Sequence, residues 1–362
     1  MRIRIQQAVA EAMARLRTSN VAGATTGLRD ALGAAAAQAP GRPREGGTGF
    51  AGRSGRRLGD VLETLSAARA SVASSAARAT TRPDDDPRFT SRSLSWEGAA
   101  LNFRLYVPRG RDRALSLVLM LHGCTQDPDD FARGTRMNSL ADEYGLVVAY
   151  PHQPRSANAN GCWNWFDRRH QSPDSGEPAK LAALAGALTA EFAVDPGRVF
   201  AAGLSAGAAM ADVLAETHPE VFSKVGLHSG LEWGAAHDVV SALAAMKGTG
   251  RAGRAGARGP CSRKLIIHGT ADKTVDLSNG DRLFAGMRSR HPNCRIVVSE
   301  VTSSGKAATR QALIDPSGRV LAEYIPIEGA GHAWSGGDMA GSFTDPEGPD
   351  ASREMVQFFL RP

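Results

Sequence analysis

The sequence predicts an α/β protein in which a mostly parallel sheet is flanked by helices. From residue 115 onward, short apolar runs alternate with helix-like stretches, which is typical of strands buried on both faces and joined by crossover helices. One such strand, residues 198–202, runs directly into Gly-Leu-Ser-Ala-Gly at residues 203–207, and a helix-like stretch follows. A chain of 362 residues is long enough for one large domain of this class and an appendage.

The appendage is residues 1–85, and the predicted domain is residues 86–362. Residues 1–85 contain 13 Arg, no Lys and 7 acidic residues, so they carry the whole formal net charge of +6. Their Arg/Ala/Gly-rich composition predicts a largely disordered extension, with an amphipathic helix at residues 3–17. We interpret it as a tether or as a basic anchor for a granule or membrane surface, and we expect no nucleic-acid partner.

Several classes of protein are excluded by what the sequence lacks. No apolar run approaches the 18 residues of a membrane span, so we expect no transmembrane segment. Charged residues interrupt every apolar stretch near the N-terminus, so we expect no secretory signal and a cytoplasmic location. The four cysteines have no C-x-x-C spacing, which argues against zinc and leaves free thiols and disulfides both open.

The other predicted elements follow the same alternating order. Two antiparallel edge strands are expected within residues 89–108, and a closing helix at residues 350–360. Between them we predict strands at residues 115–121, 146–150, 224–227, 264–269 and 321–327, and helices at residues 129–143, 178–192 and 208–216.

The pentapeptide at residues 203–207 has the context of a nucleophile elbow. A serine at such a sharp strand-to-helix turn needs small residues two positions before and after it, and its hydroxyl then projects from the carboxyl edge of the sheet. Ser205 is therefore the predicted nucleophile. A glycine-rich turn with a surface serine is the simpler alternative.

The strand at residues 115–121 leads into His122-Gly123-Cys124, a turn of small residues. In serine hydrolases of this architecture, a turn at this place supplies one half of the oxyanion hole. We expect the backbone N–H groups of Cys124 and Ala206 to stabilise the negative charge that develops on a carbonyl oxygen. The alternative is that this turn only ends a strand.

The order nucleophile, acid, histidine selects the remaining members of a triad. Asp272 follows the strand at residues 264–269, and we prefer it to its neighbour Asp276, which we expect to begin the next helix. His332 lies in a glycine-rich loop after the last strand, so it can fold back towards Ser205. This chemistry needs neither a metal nor an organic cofactor.

Aromatic residues mark a candidate substrate wall. Residues 160–166 place Trp163 and Trp165 in a loop after a strand, where they either line a cleft or pack as a plug. Trp334, two residues after His332, is the third candidate substrate contact.

Four separated motifs together resemble the poly(3-hydroxybutyrate) depolymerase family of α/β-hydrolase esterases: L-H-G-C-T-Q at residues 121–126, G-C-W-N-W-F at 161–166, G-L-S-A-G-A-A-M-A at 203–211 and G-H-A-W-S-G-G at 331–337. The resemblance covers residues 88–362 and implies an α/β-hydrolase fold. It also implies a carboxylic-ester hydrolase, in the first place a short-chain polyhydroxyalkanoate depolymerase. By the same resemblance, Cys124 would pair with Cys162 and Trp163 would contact polymer.

Three alternatives stay open at this point. Feruloyl, acetylxylan and general short-chain esterases are similar to the same scaffold, and a non-catalytic granule-binding protein is a candidate from another class. A second disulfide between Cys261 and Cys294 would cross neighbouring strands, and two disulfides would imply an oxidising compartment and a secreted protein. Secretion conflicts with the missing signal. The absence of a C-terminal module that binds solid polymer likewise conflicts with the extracellular role of secreted family members.

Overall fold

The computed structural model describes residues 86–109, 115–250, 261–303 and 305–362. The predicted N-terminal extension and its amphipathic helix lie outside these residues. Ten strands form one sheet in the order β1-β2-β4-β3-β5-β6-β7-β10-β9-β8. Their bounds are β1 (Phe89–Trp96), β2 (Ala99–Tyr106), β3 (Ser116–Leu121), β4 (Leu146–Pro151), β5 (Val199–Leu204), β6 (Lys224–His228), β7 (Arg263–Gly269), β8 (Arg295–Val301), β9 (Ala308–Ile314) and β10 (Val320–Ile327).

The central six strands of the sheet, β4-β3-β5-β6-β7-β10, are parallel. Two antiparallel strands extend the sheet at each side, β2 and β1 on one and β9 and β8 on the other. Because parallel strands end at the same edge, the loops that follow them meet there, and ligands of open α/β sheets bind at this carboxyl edge. A further short ladder joins β11 (Trp334–Ser335) to β12 (Thr344–Asp345).

Seven helices are described, and together they cover both faces of the sheet. They are α1 (Pro128–Thr135), α2 (Met137–Tyr144), α3 (Gly176–Glu191), α4 (Ala206–Thr217), α5 (Val239–Met246), α6 (Ser278–Arg290) and α7 (Ala351–Leu360). Apolar residues of α3, α4 and α6 pack on one face, and those of α1, α2 and α7 pack on the other. The strands serve both layers because successive side chains point to opposite faces: Leu117 and Leu119 join one core, and Val118 and Met120 the other.

The prediction of one helix over residues 129–143 was wrong. Arg136 has φ 53° and ψ 24°, so it ends α1 in the left-handed region, and α2 begins at the next residue. A non-glycine residue in this conformation leaves no mark in the apolar periodicity, which is why the two helices look continuous in the sequence. Within the described ranges, no helix is long and apolar enough to cross a bilayer.

Candidate active site

Ser205 lies at the sharp turn between β5 and α4, as the elbow predicts. Its φ of 58° and ψ of −118° fall outside the regions that L-residues favour, a strain of the order of 1–3 kcal/mol. Two backbone hydrogen bonds hold the turn: the Ser205 N–H donates to His228 O at 2.9 Å, and the Ala209 N–H donates to Ser205 O at 2.9 Å. Among the described residues, none makes a hydrogen bond to the Ser205 hydroxyl, and that hydroxyl is therefore available to a substrate.

The glycines on either side of Ser205 are required by close packing. A Cβ at Gly203 would lie 2.4 Å from the carbonyl carbon of Gly207. A Cβ at Gly207 would lie 2.0 Å from Leu121 O, at the end of β3. Backbone atoms cannot move aside as a flexible side chain can, so the elbow tolerates no side chain at these two positions.

Asp272 and His332 meet at the carboxyl edge of the sheet. His332 Nδ1 lies 2.7 Å from Asp272 Oδ2, and the carboxyl side chain is fully buried. Burial raises the pKa of Asp272, but the hydrogen bond and charge of His332 and the Val275 N–H outweigh it, so the net pKa is lowered. The ionised carboxylate can only accept, so His332 carries its proton on Nδ1 and leaves Nε2 free to act as a base.

In the described part of the chain, the rival acid Asp276 makes no contact with the imidazole of His332. It is exposed, and its carboxylate accepts the Ser278 N–H at 3.0 Å at the start of α6. The geometry thus distinguishes the two acids in the way that the sequence predicts.

His228 links the elbow to the loop that carries His332. Its carbonyl accepts the Ser205 N–H, and its Nε2 accepts the Ser335 N–H at 3.1 Å. Burial lowers the pKa of His228 to about 3, with smaller contributions from the charges of His268 and His332, so the ring stays neutral and keeps Nε2 as an acceptor. The described residues include no hydrogen bond between Ser205 and His332 themselves; such a contact often tightens only when substrate binds.

The predicted oxyanion turn lies beside the nucleophile. A Cβ built on Gly123 would be 3.7 Å from Ser205 Cβ. Within the described residues, neither the Cys124 N–H nor the Ala206 N–H donates to a protein acceptor, so both remain available to an oxyanion. The two donors thus come from the loop after β3 and the first turn of α4.

Two buried side chains fix the shape of that turn. The Gly123 N–H donates to Gln126 Oε1 at 2.9 Å, while Gln126 Nε2 donates to Asp130 Oδ2 at 3.0 Å and to Ser342 O at 3.1 Å. His122 lies under the turn, where burial lowers its pKa to about 4. Its Nε2 accepts the backbone N–H of residue 153 at 3.2 Å, so Nδ1 carries the proton and donates to the carbonyl of residue 123 at 2.8 Å.

A disulfide between Cys124 and Cys162 joins the oxyanion turn to the aromatic loop. The Thr125 N–H also donates to Asn160 O at 2.7 Å, so two links tie these loops together. The indole Nε1 of Trp163 donates to the carbonyl of residue 122 at 3.1 Å. The aromatic loop therefore holds the oxyanion turn in place through a disulfide and two hydrogen bonds.

The structure contradicts the expectation that Trp163, Trp165 and Trp334 line the substrate site. All three side chains are buried in the core. Trp165 packs edge-on against Phe166, with ring centroids 5.7 Å apart. Trp334 stacks on His228 at 5.3 Å. Of the two alternatives for the aromatic loop, a cleft wall or a packing plug, the plug is the one observed.

The predicted second disulfide is also absent: Cys261 and Cys294 are free thiols. They precede β7 and β8, which are not neighbours, because β10 and β9 lie between them. Three strand spacings of about 4.8 Å place the strand starts roughly 14 Å apart, about twice the Cα separation that a disulfide can span.

Sequence reasoning missed two polar residues that support the site. Gln126 could have been identified from the sequence, because it ends the motif at residues 121–126 and lies three positions after Gly123. Glu177 was not: its buried carboxylate accepts the Asn164 N–H at 2.7 Å and Gln153 Nε2 at 2.6 Å, which holds the aromatic loop. An acid in the first turn of a helix is ordinarily a solvated residue, so nothing in the sequence marks it. Within the described part of the chain, no cluster of three or more His, Cys, Asp or Glu side chains could hold a metal ion.

Comparisons with known proteins point to ester hydrolysis. The family described as "Esterase PHB depolymerase" matches residues 101–291. Poly(3-hydroxyalkanoate) depolymerase C of Paucimonas lemoignei is 29% identical over 238 residues, which cover 63% of this chain and 57% of that protein. The probable acetylxylan esterase A of Neosartorya fischeri is 28% identical over 188 residues, covering 47% of this chain and 50% of that protein.

Among solved structures, an acetyl xylan esterase from Aspergillus awamori matches with a TM-score of 0.57 and 18% identity, covering 75% of this chain and 98% of that one. This likeness shows the α/β-hydrolase fold. The chain spans about half the length of each of these two curated relatives.

Proposed function

Because the chain belongs to the Esterase PHB depolymerase family, we propose that it is a carboxylic ester hydrolase and that it cleaves polyhydroxyalkanoate esters through an acyl-enzyme on Ser205. In this proposal Ser205 Oγ attacks the ester carbonyl while His332 Nε2 takes the hydroxyl proton. The N–H groups of Cys124 and Ala206 bind the oxyanion. The intermediate then collapses, and the leaving alcohol departs with the proton held by His332.

Deacylation repeats these steps with water. His332 Nε2 takes a proton from a water molecule as its oxygen attacks the acyl carbonyl. The second tetrahedral intermediate then collapses: the bond to Ser205 Oγ breaks, His332 returns the proton to Ser205 Oγ, and the carboxylic acid leaves. Asp272 stays ionised throughout and stabilises the imidazolium form of His332. Every proton that leaves a nucleophile is returned to a leaving group, so the cycle needs no further reactant besides water.

One observation supports this mechanism above the others: the 2.7 Å contact between His332 Nδ1 and buried Asp272 Oδ2. A histidine and a carboxylate that only stabilised the fold could face any direction. Here they follow Ser205 in the chain and share its edge of the sheet. That edge also carries the N–H groups of Cys124 and Ala206, which have no acceptor among the residues that the structure describes.

The test is release of 3-hydroxybutyrate from amorphous polymer granules, run beside hydrolysis of p-nitrophenyl butyrate and methyl ferulate. Ser205→Ala should lower every one of these rates by at least about 10⁴-fold, because no other group can form the acyl-enzyme. Its melting temperature should stay near that of the wild type. Near-normal activity in this variant would overturn the assignment of Ser205.

The second candidate is a feruloyl, acetylxylan or general short-chain esterase, favoured by the likeness to a curated acetylxylan esterase. Its mechanism is the same, and only the acyl and alcohol groups differ. Hydrolysis of soluble esters without release of 3-hydroxybutyrate from granules would select it over the depolymerase.

A further inference from the structure

Helix α5 presents its large apolar side chains to solvent. It buries the small residues Ala242 and Ala245, while Val239, Val240 and Leu243 are 52%, 77% and 42% exposed. These three positions are spaced i, i+1 and i+4, so they form one continuous face, which we call the α5 patch. A surface helix ordinarily turns its large apolar residues to the core, and contiguous exposed apolar surface marks a binding site.

The α5 patch stands at the edge of the sheet that carries the candidate site. The chain enters α5 from the carboxyl end of β6. At the other end of the helix, the Asp276 N–H donates to Met246 O at 2.7 Å. Lys247 Nζ donates to the backbone carbonyl of Lys273 at 2.6 Å, and Lys273 directly follows Asp272. The helix and the loop of the triad acid are therefore one connected unit.

Helix α5 is also fixed in orientation. At its start, Asp238 and Ser241 form a reciprocal capping box, with the Ser241 N–H donating to Asp238 Oδ1 at 2.7 Å. Near its end, the buried Asn279 donates through Nδ2 to Ala245 O at 3.0 Å. Because both ends are held, the patch keeps a constant direction relative to the site.

The chemistry of the patch indicates its partner. The three side chains of the patch are aliphatic and uncharged, so the surface that they present has no group that could pair with an ion. An aliphatic polyester offers short alkyl groups and ester oxygens without formal charge, and it matches such a surface.

We propose that the α5 patch adsorbs the protein to the surface of solid polyester and holds the carboxyl edge of the sheet against it. This inference rests on the proposed function. A chain in a solid cannot diffuse to the enzyme, so the enzyme must stay at the surface while the ester reaches Ser205. Burial of the patch against the polymer provides the binding energy through removal of apolar area from water.

A second exposed apolar region provides a matched control. Ile296 and Val298 of β8 are exposed and point to the same face of the sheet, so they form the β8 patch, beside an open groove of about 590 Å³ lined in part by Cys294 and Leu313. β8 is an edge strand of the sheet, and β9 and β10 lie between it and β7. The β8 patch is thus apolar and exposed like the α5 patch, but it lies away from the loop of the triad acid.

The experiment measures adsorption of the full chain to amorphous poly(3-hydroxybutyrate) granules, with Ser205→Ala as background so that the surface is not consumed. Val239→Thr/Val240→Thr/Leu243→Gln should weaken adsorption by about tenfold or more, because the three side chains that contact the polymer become polar. Threonine has nearly the helix propensity of valine, so α5 should persist. Ile296→Thr/Val298→Thr, which alters the β8 patch, should adsorb like its parent.

With Ser205 restored, the α5 variant should lose granule hydrolysis in the same proportion and keep its rate on p-nitrophenyl butyrate. Unchanged adsorption, or a loss confined to the β8 variant, would overturn the proposal. So would a wild-type dimer in sedimentation that the α5 variant dissociates, because a second copy would then cover the patch. Weaker adsorption with no granule hydrolysis by the wild type would support the patch and refute the depolymerase function instead.

Discussion

At the scale of single residues, Asp272 shows how one carboxylate can serve two structural tasks. Oδ1 accepts the N–H groups of Thr274 and Val275 at 2.8 and 2.9 Å, which fixes the loop. Oδ2 accepts from His332 and fixes the imidazole. The shape of the loop and the orientation of the His332 imidazole therefore depend on different oxygens of the same carboxylate, and a substitution can separate the two.

Asp272→Asn should lower kcat by about 10³–10⁴-fold with little change in melting temperature. The amide oxygen can still accept the two N–H groups, but the amide nitrogen facing His332 favours the wrong tautomer of the imidazole. Asp276→Asn is the matched control and should leave kcat unchanged. Initial rates on p-nitrophenyl butyrate check both variants, and equal losses in the two would contradict the choice of Asp272.

At the scale of elements, the loops after β3 and β4 act as one braced unit. The disulfide between Cys124 and Cys162 closes a segment with a sequence separation of 38 residues. Because the turn that carries the Cys124 N–H is held on this side by the aromatic loop and on the other by Gln126, its donors are set before substrate arrives. Such preorganisation is what makes an oxyanion hole effective.

Removal of this disulfide in Cys124→Ala/Cys162→Ala should reduce the free energy of unfolding by about 2–4 kcal/mol, mainly because the unfolded chain gains entropy. The kcat should also fall, since the backbone donor at residue 124 is retained but less firmly placed. Urea unfolding measures the first effect. The matched control, Cys261→Ser/Cys294→Ser, removes the two free thiols and should cost less than about 1 kcal/mol.

At the scale of the whole molecule, several histidines are buried without charge beneath the carboxyl edge. Burial lowers the pKa of His122 to about 4 and that of His228 to about 3, against about 6.5 in an unfolded chain. Below pH 6.5 the unfolded chain therefore binds protons that the folded protein excludes. The free energy of unfolding is therefore highest above this pH, and it decreases as the pH falls towards the folded-state pKa values.

Each of these two histidines should remove about 2 kcal/mol of stability between pH 7.5 and pH 5. Urea unfolding over this range tests the sign and the size. In His228→Gln the free energy of unfolding should depend less steeply on pH, by the contribution of one histidine. Stability that is independent of pH in the wild type would contradict the buried neutral histidines.

Much of the fold follows from the sequence because parallel strands are local and strongly patterned. The runs that become β3, β4 and β5 are buried on both faces, so they are almost wholly apolar and can be recognised in the sequence. The elements that were not predicted, β9, α5 and the two-residue strands β11 and β12, lie outside this pattern. β9 is only partly buried, and α5 buries alanines and exposes valines.

The sequence by itself determined the chemistry-bearing positions: a serine between two obligatory glycines, and an acid and a histidine in loops that follow strands in the required order. These depend on local backbone geometry and on chain order, which a sequence carries directly. The tertiary structure decided which tryptophans are buried and which cysteines are close enough to bond. These depend on distances between segments far apart in the chain, and such distances exist only once the sheet is assembled.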